Sequence, residues 1–172
     1  YQTSRNFSVM PNIYLANDRV SHNFIFIYNL SDLADYNKFT SEFTQYATNS
    51  LQLNYILGLI PSRWSFTGGI NILDMTNTSY SIKSRGLILG IAKSMFNNTF
   101  NIYLNNSLIR TDGPYQAGNV LNSNLSLSYR FTKRNTLRIT SYFIGNYADN
   151  INGITTYSYN ELKGEIRYAY SF

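Results

Sequence analysis

Apolar and polar residues alternate along most of this 172-residue chain. In the segment 162–172 every second residue is apolar, aromatic or glycine: Leu162, Gly164, Ile166, Tyr168, Tyr170 and Phe172. The residues between them are charged or small. Because successive side chains of a strand point to opposite faces, a period of two predicts a strand with one apolar and one polar face.

The same alternation predicts about nine strands of roughly ten residues each, separated by polar connections. Short turns are predicted near 17–20, 61–63, 93–98 and 132–135. Longer loops are predicted near 31–46, 74–80, 110–118 and 146–157. Short and long connections therefore alternate along the chain.

Two segments depart from the simple alternation. Pro11 lies inside the first predicted strand, where it cannot donate a ladder hydrogen bond, and it indicates a bulge or an edge strand. In the segment 31–46 apolar residues recur at helical intervals of three and four: Leu33, Tyr36, Phe39, Phe43 and Tyr46. We predict a long loop with a short helix, whose aromatics pack over the rim or, as the less favoured alternative, form a binding lid.

The composition is rich in aromatic residues and poor in charge. Aromatic residues make up 16% and charged residues 13% of the chain, the latter about half the usual share. A mean hydropathy of −0.24 excludes a helical membrane protein, but strands that cross a membrane need only alternate apolar residues. The net charge of +5 is spread over strand ends and turns, which argues against a nucleic-acid surface.

The last strand, with Ile166, Tyr168, Tyr170 and Phe172, resembles the C-terminal assembly signal of Gram-negative outer-membrane β-barrels. The resemblance implies recognition by the outer-membrane assembly machinery. The abundance of Asn, Tyr, Ser and Thr resembles barrels of the Bacteroidota type. The predicted fold class is therefore all-β, an antiparallel transmembrane β-barrel forming a single domain over 1–172 in the bacterial outer membrane.

Aromatic residues of the apolar face lie near the short-turn ends of the predicted strands. Such rings form a girdle at the membrane interface, because they suit the headgroup level. The predicted membrane-interface girdle consists of Phe24, Trp64, Phe66, Phe100, Tyr129 and Phe131.

Charged residues of the last three strands fall on the polar, lumenal face. They are Arg130, Arg138, Glu161, Lys163, Glu165 and Arg167. The favoured interpretation is a structural ladder of ion pairs across strands. The alternative is a patch that steers anions or polar solutes through a lumen.

Other candidate residues carry weaker signals. Lys83 and Arg85 lie on the lipid side at the long-loop end, where they are expected to meet phosphates of lipid headgroups or lipopolysaccharide. The single histidine, His22, lies at the short-turn end of the apolar face, which argues against a catalytic base. Three aspartates in separate loops are expected to be turn formers rather than calcium ligands: Asp74, Asp112 and Asp149.

The chain contains no cysteine and no motif of an enzyme, a cofactor site or a metal site, so we predict none of these functions. Nine strands is an odd count, and bacterial single-chain barrels have even counts. We therefore expect at least one strand before Tyr1 and interpret the chain as the C-terminal part of a larger barrel. The alternative is a mis-divided strand in a small complete barrel of eight or ten strands.

The predicted function is transport or translocation across the outer membrane. The alternative is a structural or partner-binding barrel that anchors a periplasmic or cell-surface complex. A soluble adhesin or fibril former is a third hypothesis. Isoleucines on the polar side argue mildly for a plug or a packed interior: Ile25, Ile27, Ile56, Ile82 and Ile88.

Overall fold

The chain forms one antiparallel β-sheet of ten strands. The structure is a computed structural model and describes residues 2–37, 42–114, 117–150 and 157–170, within which no helix occurs. The strands are β1 Gln2–Val9, β2 Asn12–Ala16, β3 Val20–Asn37, β4 Glu42–Leu59, β5 Trp64–Asn77, β6 Ser81–Met95, β7 Phe100–Asp112, β8 Gly118–Arg130, β9 Asn135–Ala148 and β10 Tyr159–Tyr170. The predicted all-β, antiparallel class is thus confirmed, but the sheet is not closed into a barrel.

The first two strands together fill one position at the edge of the sheet. Val9 pairs with Tyr28 and Asn12 pairs with Ile25, so the register with β3 is unchanged across the break. The amide of Phe26 donates to the carbonyl oxygen of Pro11 at 3.1 Å. Pro11 therefore interrupts an edge strand without a bulge, and the sheet has nine strand positions, the number that the alternation predicted.

The predicted long loop and helix at 31–46 are wrong for the part of this segment that the structure describes. β3 and β4 run through it as a hairpin, in which Leu33 faces Tyr46 and Tyr36 faces Phe43. The intervals of three from Leu33 to Tyr36 and from Phe43 to Tyr46 thus belong to two cross-strand pairs rather than to one helix face. Phe39 lies outside the described residues.

The other predicted loops are also shorter than expected. The strands that flank them leave connections of 78–80, 113–117 and 149–158. The connections at the opposite edge of the sheet are 17–19, 60–63, 96–99 and 131–134. Polar residues of the predicted loops lie in strands instead: Asp74, for example, is the cross-strand partner of Lys83.

The strands end at very different heights along the side of the sheet opposite the short turns. Tyr28 and Arg110 belong to one row of cross-strand partners, described below. From Tyr28, β3 continues to Asn37, about 30 Å at roughly 3.3 Å per residue. From Arg110, β7 continues only to Asp112. The rim is therefore high at β1, β3 and β4 and low at β7, β8 and β9.

No apolar side chain is buried among the described residues. The sheet is a single layer, so both faces are open, and even Leu89 at the middle of β6 is 54% exposed. A sheet normally buries its apolar face against another layer. This sheet provides no such layer, and its stability requires a covering environment for that face.

Candidate functional site

One face of the sheet carries an apolar band between two rows of charged residues. On β6, Lys93 and Arg85 delimit the band, and the side chains between them on the same face are Ile91, Leu89 and Leu87. The two charged residues are eight positions apart, which corresponds to about 26 Å along the strand. We call the Lys93 side the turn-side border and the Arg85 side the rim-side border.

Aromatic rings gather at the turn-side border. The rings of Trp64 and Phe66 stack with centroids 6.1 Å apart, and Tyr129 contacts Phe131 edge to face at 4.6 Å. The Lys93 ammonium lies 4.7 Å from the centroid of the Trp64 ring, a cation–π contact. The sequence analysis assigned Lys93 to a turn and missed this contact. Lys93 lies two residues after Ile91 in an unbroken alternation, and this spacing already predicts that the two share a face of the strand.

The structure places all six predicted girdle residues within about four residues of the turn-side strand ends. Phe131 follows β8 directly. The other five lie on the apolar face of strands: Phe24, Trp64, Phe66, Phe100 and Tyr129. Ile166, Tyr168 and Tyr170 of the predicted assembly signal lie on the same face of β10, at the sheet edge. Phe172 lies outside the described residues.

The rim-side border is a row of cross-strand partners that combines cations and tyrosines. Its members, from β3 to β9, are Tyr28, Leu51, Ile72, Arg85, Arg110, Asn119 and Tyr147. Arg110, Tyr28 and Tyr147 were not singled out by the sequence analysis, because only the register reveals that they share a row with Arg85.

Ion pairs hold the rim-side border. Arg110 lies outside the apolar band and contacts Asp112 at 2.8 Å and Asp149 at 2.6 Å, and Arg85 lies 3.9 Å from Asp74. Hydrogen bonds to Asp112, the larger effect, and to Asp149 raise the pKa of Arg110 above its ordinary value, so the guanidinium remains charged. Asp112 and Asp149 thus pair closely with Arg110, whereas Asp74 is only at the limit of an ion pair with Arg85. No metal-binding group of three or more acidic or histidine side chains occurs in the described ranges.

Beyond the rim-side border the same face carries charged and polar residues beside the exposed aromatics Tyr36 and Phe43. Arg5 is the cross-strand partner of Asp32, and the Gln45 amide donates to the Asp32 carboxylate at 3.2 Å.

The opposite face is polar and lined with small residues. Four glycines lie on it, in strands β4, β5 and β6: Gly58, Gly69, Gly86 and Gly90. At Gly69 a β-carbon would lie only 2.9 Å from the carbonyl oxygen of Leu53, so a side chain is excluded there. The isoleucines predicted to face inward also lie on this face, half-buried: Ile25, Ile27, Ile56, Ile82 and Ile88.

The six predicted lumenal charges lie on the polar face, but their ion pairs run along β10 rather than across strands. Lys163 contacts Glu161 at 3.0 Å, and Arg167 contacts Glu165 at 2.7 Å. Across the sheet, Arg138 faces Arg167. The predicted ladder of ion pairs across strands is therefore absent from the described structure. The opposite charges instead alternate along the polar face of β10, where neighbouring residues pair.

Arg130 and Arg138 form no ion pair within the described part of the chain. Arg130 faces Thr136, and both arginines are exposed. They leave a positive patch on the polar face near the turn-side edge.

His22 lies on the apolar face, where it contacts one aromatic neighbour. Its Nδ1 and the hydroxyl of Tyr55 are 2.8 Å apart, and the two rings stack with centroids at 6.1 Å. No carboxylate or serine nucleophile accompanies it in this contact, and the geometry is that of a polar pair among apolar side chains.

No protein-family model, curated protein or solved structure matches this chain. The described residues contain no helix long and apolar enough to cross a membrane. Evidence on function therefore comes from the two faces of the sheet.

Proposed function

We propose that this chain forms the wall of an outer-membrane β-barrel in a Gram-negative bacterium, with the apolar face toward lipid and the polar face toward a lumen. The observation that carries the proposal is the apolar band between its two charged borders. A strand tilt of roughly 40° reduces its length of about 26 Å to a height of roughly 20 Å, near the apolar band of about 25 Å in such barrels.

The two borders support the same placement. Lys93 with Trp64 combines a cation and an amphipathic ring at one end of the band, and Arg85 supplies a cation at the other end, which suits the level of lipid headgroups on both sides of a membrane. Lys83, one position beyond Arg85 on this face, suits contact with phosphates of lipopolysaccharide. Partners of the proposed barrel are thus the bilayer, lipopolysaccharide and the outer-membrane assembly machinery.

The proposed role is transport or translocation across the outer membrane. Glycine, serine, threonine and asparagine dominate the polar face, so this face leaves space and hydrogen-bonding groups for a hydrated passage. Unpaired edges are incompatible with lipid, because backbone groups need partners there. The β1 and β10 edges are therefore proposed to pair with further strands of the barrel.

The second candidate is a structural or partner-binding barrel that anchors a periplasmic or cell-surface complex. The observation that favours it is the high rim, where Tyr36 and Phe43 remain 38% and 53% exposed beyond the rim-side border. Exposed aromatics are typical anchors of protein interfaces.

Single cysteines test the placement, because the chain has none of its own. Leu89→Cys lies on the apolar face and Ile88→Cys on the polar face of the same strand. In chain folded into phospholipid vesicles, a membrane-impermeant maleimide should label only position 88. Labelling of both positions contradicts lipid exposure of the apolar face, whereas labelling of neither favours a sealed interior and the anchoring role.

Conductance in planar bilayers distinguishes the two roles. Under the transport hypothesis, the double variant Arg130→Ala, Arg138→Ala should lower the preference for anions. The control Arg134→Ala changes a basic residue in the turn after β8 and should leave selectivity unchanged. Unchanged selectivity in the double variant, with reduced stability, assigns a structural role to the two arginines. Absence of any conductance supports the anchoring role.

A further inference from the structure

Three arginines lie together on the polar face near the turn-side ends of β8, β9 and β10. Arg138 and Arg167 are direct cross-strand partners. Arg130 faces Thr136, which precedes Arg138 by two residues on the same face of β9. Residues directly opposite each other have β-carbons about 4.5–5.5 Å apart, and diagonal neighbours lie about 7–8 Å apart, so the three long side chains can reach a common point. We call Arg130, Arg138 and Arg167 the arginine cluster.

The arginine cluster carries more positive charge than its neighbours neutralise. Glu165 contacts Arg167 at 2.7 Å, whereas the other two arginines form no ion pair with any described residue. The segment 113–160 contains one acidic residue, Asp149, and this residue pairs with Arg110 at the rim-side border. Three arginines and one glutamate leave the cluster with a net charge of +2.

The facing arginines Arg138 and Arg167 have fewer acidic contacts than a comparable pair in the same sheet. Arg85 and Arg110 also face each other across strands, but Arg110 contacts two aspartates, at 2.8 Å and 2.6 Å. Like charges directly opposite each other on antiparallel strands are destabilising. An anion between Arg138 and Arg167 would supply the negative charge that aspartates supply at the other pair.

All three arginines of the cluster are accessible to a ligand. The Arg167 side chain remains 66% exposed despite its ion pair, and Arg130 and Arg138 are also exposed. Ser128 faces Arg138 from β8 and Thr136 faces Arg130 from β9, so two hydroxyls that can donate hydrogen bonds flank the arginines. An anionic ligand therefore meets both charged and neutral donors here.

The charge of the cluster and the shape of its side chains select a phosphate group. A guanidinium group donates two parallel hydrogen bonds to phosphate or carboxylate oxygens. A phosphate monoester carries a charge of about −1.5 to −2 at pH 7, which matches the net charge of +2, whereas a single carboxylate supplies half of it. Lys133 and Arg134, in the turn between β8 and β9, add further positive charge.

We propose that the arginine cluster binds the phosphate group of a phosphorylated small molecule. Arg130 and Arg138 donate to its oxygens, and Arg167 is shared between the phosphate group and Glu165. Anion steering needs only dispersed positive charge, whereas this site binds one phosphate group in a saturable way. The inference rests on the proposed function in one respect: on a lumenal wall, the site makes phosphorylated solutes the transported class. The binding itself does not depend on transport.

Isothermal titration calorimetry on the protein in a nonionic detergent, at about 0.15 M salt, tests the binding. The probes are glucose 6-phosphate and inorganic phosphate, with glucose and acetate as comparisons. Both phosphates should bind at one saturable site, and glucose and acetate should bind at least tenfold more weakly. Arg138→Gln should weaken the binding of glucose 6-phosphate roughly tenfold or more, because a hydrogen bond between charged groups is lost.

The control is Lys163→Gln, which removes the same charge from the polar face of β10, four residues from Arg167. This separation is about 13 Å along the strand, longer than the screening length at this salt concentration, so binding should be unchanged. Arg138→Gln should not lower stability, because it removes repulsion between two facing cations. If it fails to fold, Arg130→Gln provides the same test.

Absence of saturable phosphate binding, equal affinity for acetate, or equal weakening by Lys163→Gln overturns the proposal. Phosphatidic acid added to the micelles distinguishes a lipid headgroup from a soluble ligand. If phosphatidic acid binds with an affinity that depends on Arg138 and glucose 6-phosphate does not bind, the phosphorylated small molecule is overturned as the ligand.

The cysteine labelling of positions 88 and 89 separates the two hypotheses. Labelling of position 88 alone, without phosphate binding, overturns the phosphate site and leaves the membrane placement intact. Phosphate binding with labelling at both positions retains the site and contradicts the barrel wall.

Discussion

A lysine at the centre of the apolar band should strongly destabilise the protein in a membrane. Leu89 lies four residues from both Lys93 and Arg85 on β6, about 13 Å from each along the strand. A lysine at the membrane midplane of a β-barrel costs about 2–4 kcal/mol, against about 0–1 kcal/mol near an interface. Leu89→Lys should therefore lower the folding equilibrium constant about 30- to 1000-fold.

Two matched variants make this expectation specific. Leu51→Lys places the same charge in the rim-side border and should cost about 0–1 kcal/mol. Ile88→Lys places it on the polar face of the same strand as Leu89, where a hydrated lumen tolerates it. The predicted order of destabilisation is Leu89→Lys well above Leu51→Lys and Ile88→Lys.

Urea unfolding of the chain from phospholipid vesicles, followed by Trp64 fluorescence, measures these differences. A water-exposed sheet face gives the opposite expectation, because replacing a 54% exposed leucine by lysine in water changes stability by about 0.5 kcal/mol or less. A Leu89→Lys variant within that range of the unsubstituted protein refutes the lipid placement of the apolar face.

Two further substitutions test local features. Gly69→Ala should lose about 1–3 kcal/mol in urea unfolding, because its β-carbon would meet a backbone oxygen of β4, whereas Gly68→Ala enters open space and should be neutral. Equal costs at the two glycines would contradict the close approach at β4. Lys93→Met should lose about 0.5–1 kcal/mol through the lost contact with Trp64, and Lys93→Arg should retain it. A similar loss in both lysine variants would exclude cation–π attraction as the cause.

The sequence predicted which residues share a face, because alternation needs no knowledge of distant partners. Trp64, Phe66 and Leu89 fall on the face that their spacing predicted, and Arg138 and Lys163 fall on the other. Strand ends were predicted less well. Asn, Asp and Ser favour turns, but a cross-strand neighbour on the same face can keep such a residue in a strand.

Features that depend on register could not be read from local spacing. Leu33 and Tyr36, like Phe43 and Tyr46, are three residues apart, which is helical spacing. Only the register shows that they form the cross-strand pairs Leu33–Tyr46 and Tyr36–Phe43. Likewise, Arg110 joins the border row only through its pairing with Arg85. The missing amide of Pro11, a local property, predicted either a bulge or an edge strand, whereas the unbroken register that decides for the edge strand was not predictable.

The uneven rim gives the molecule a preferred direction of approach. In the proposed barrel the continuation of β3 and β4 would screen the polar face on one side from large molecules that arrive along the membrane surface. On the other side β7, β8 and β9 end within about two residues of the border row, so the polar face begins almost at the entrance. In the proposed barrel a bulky polymer would therefore reach the polar face across the low side.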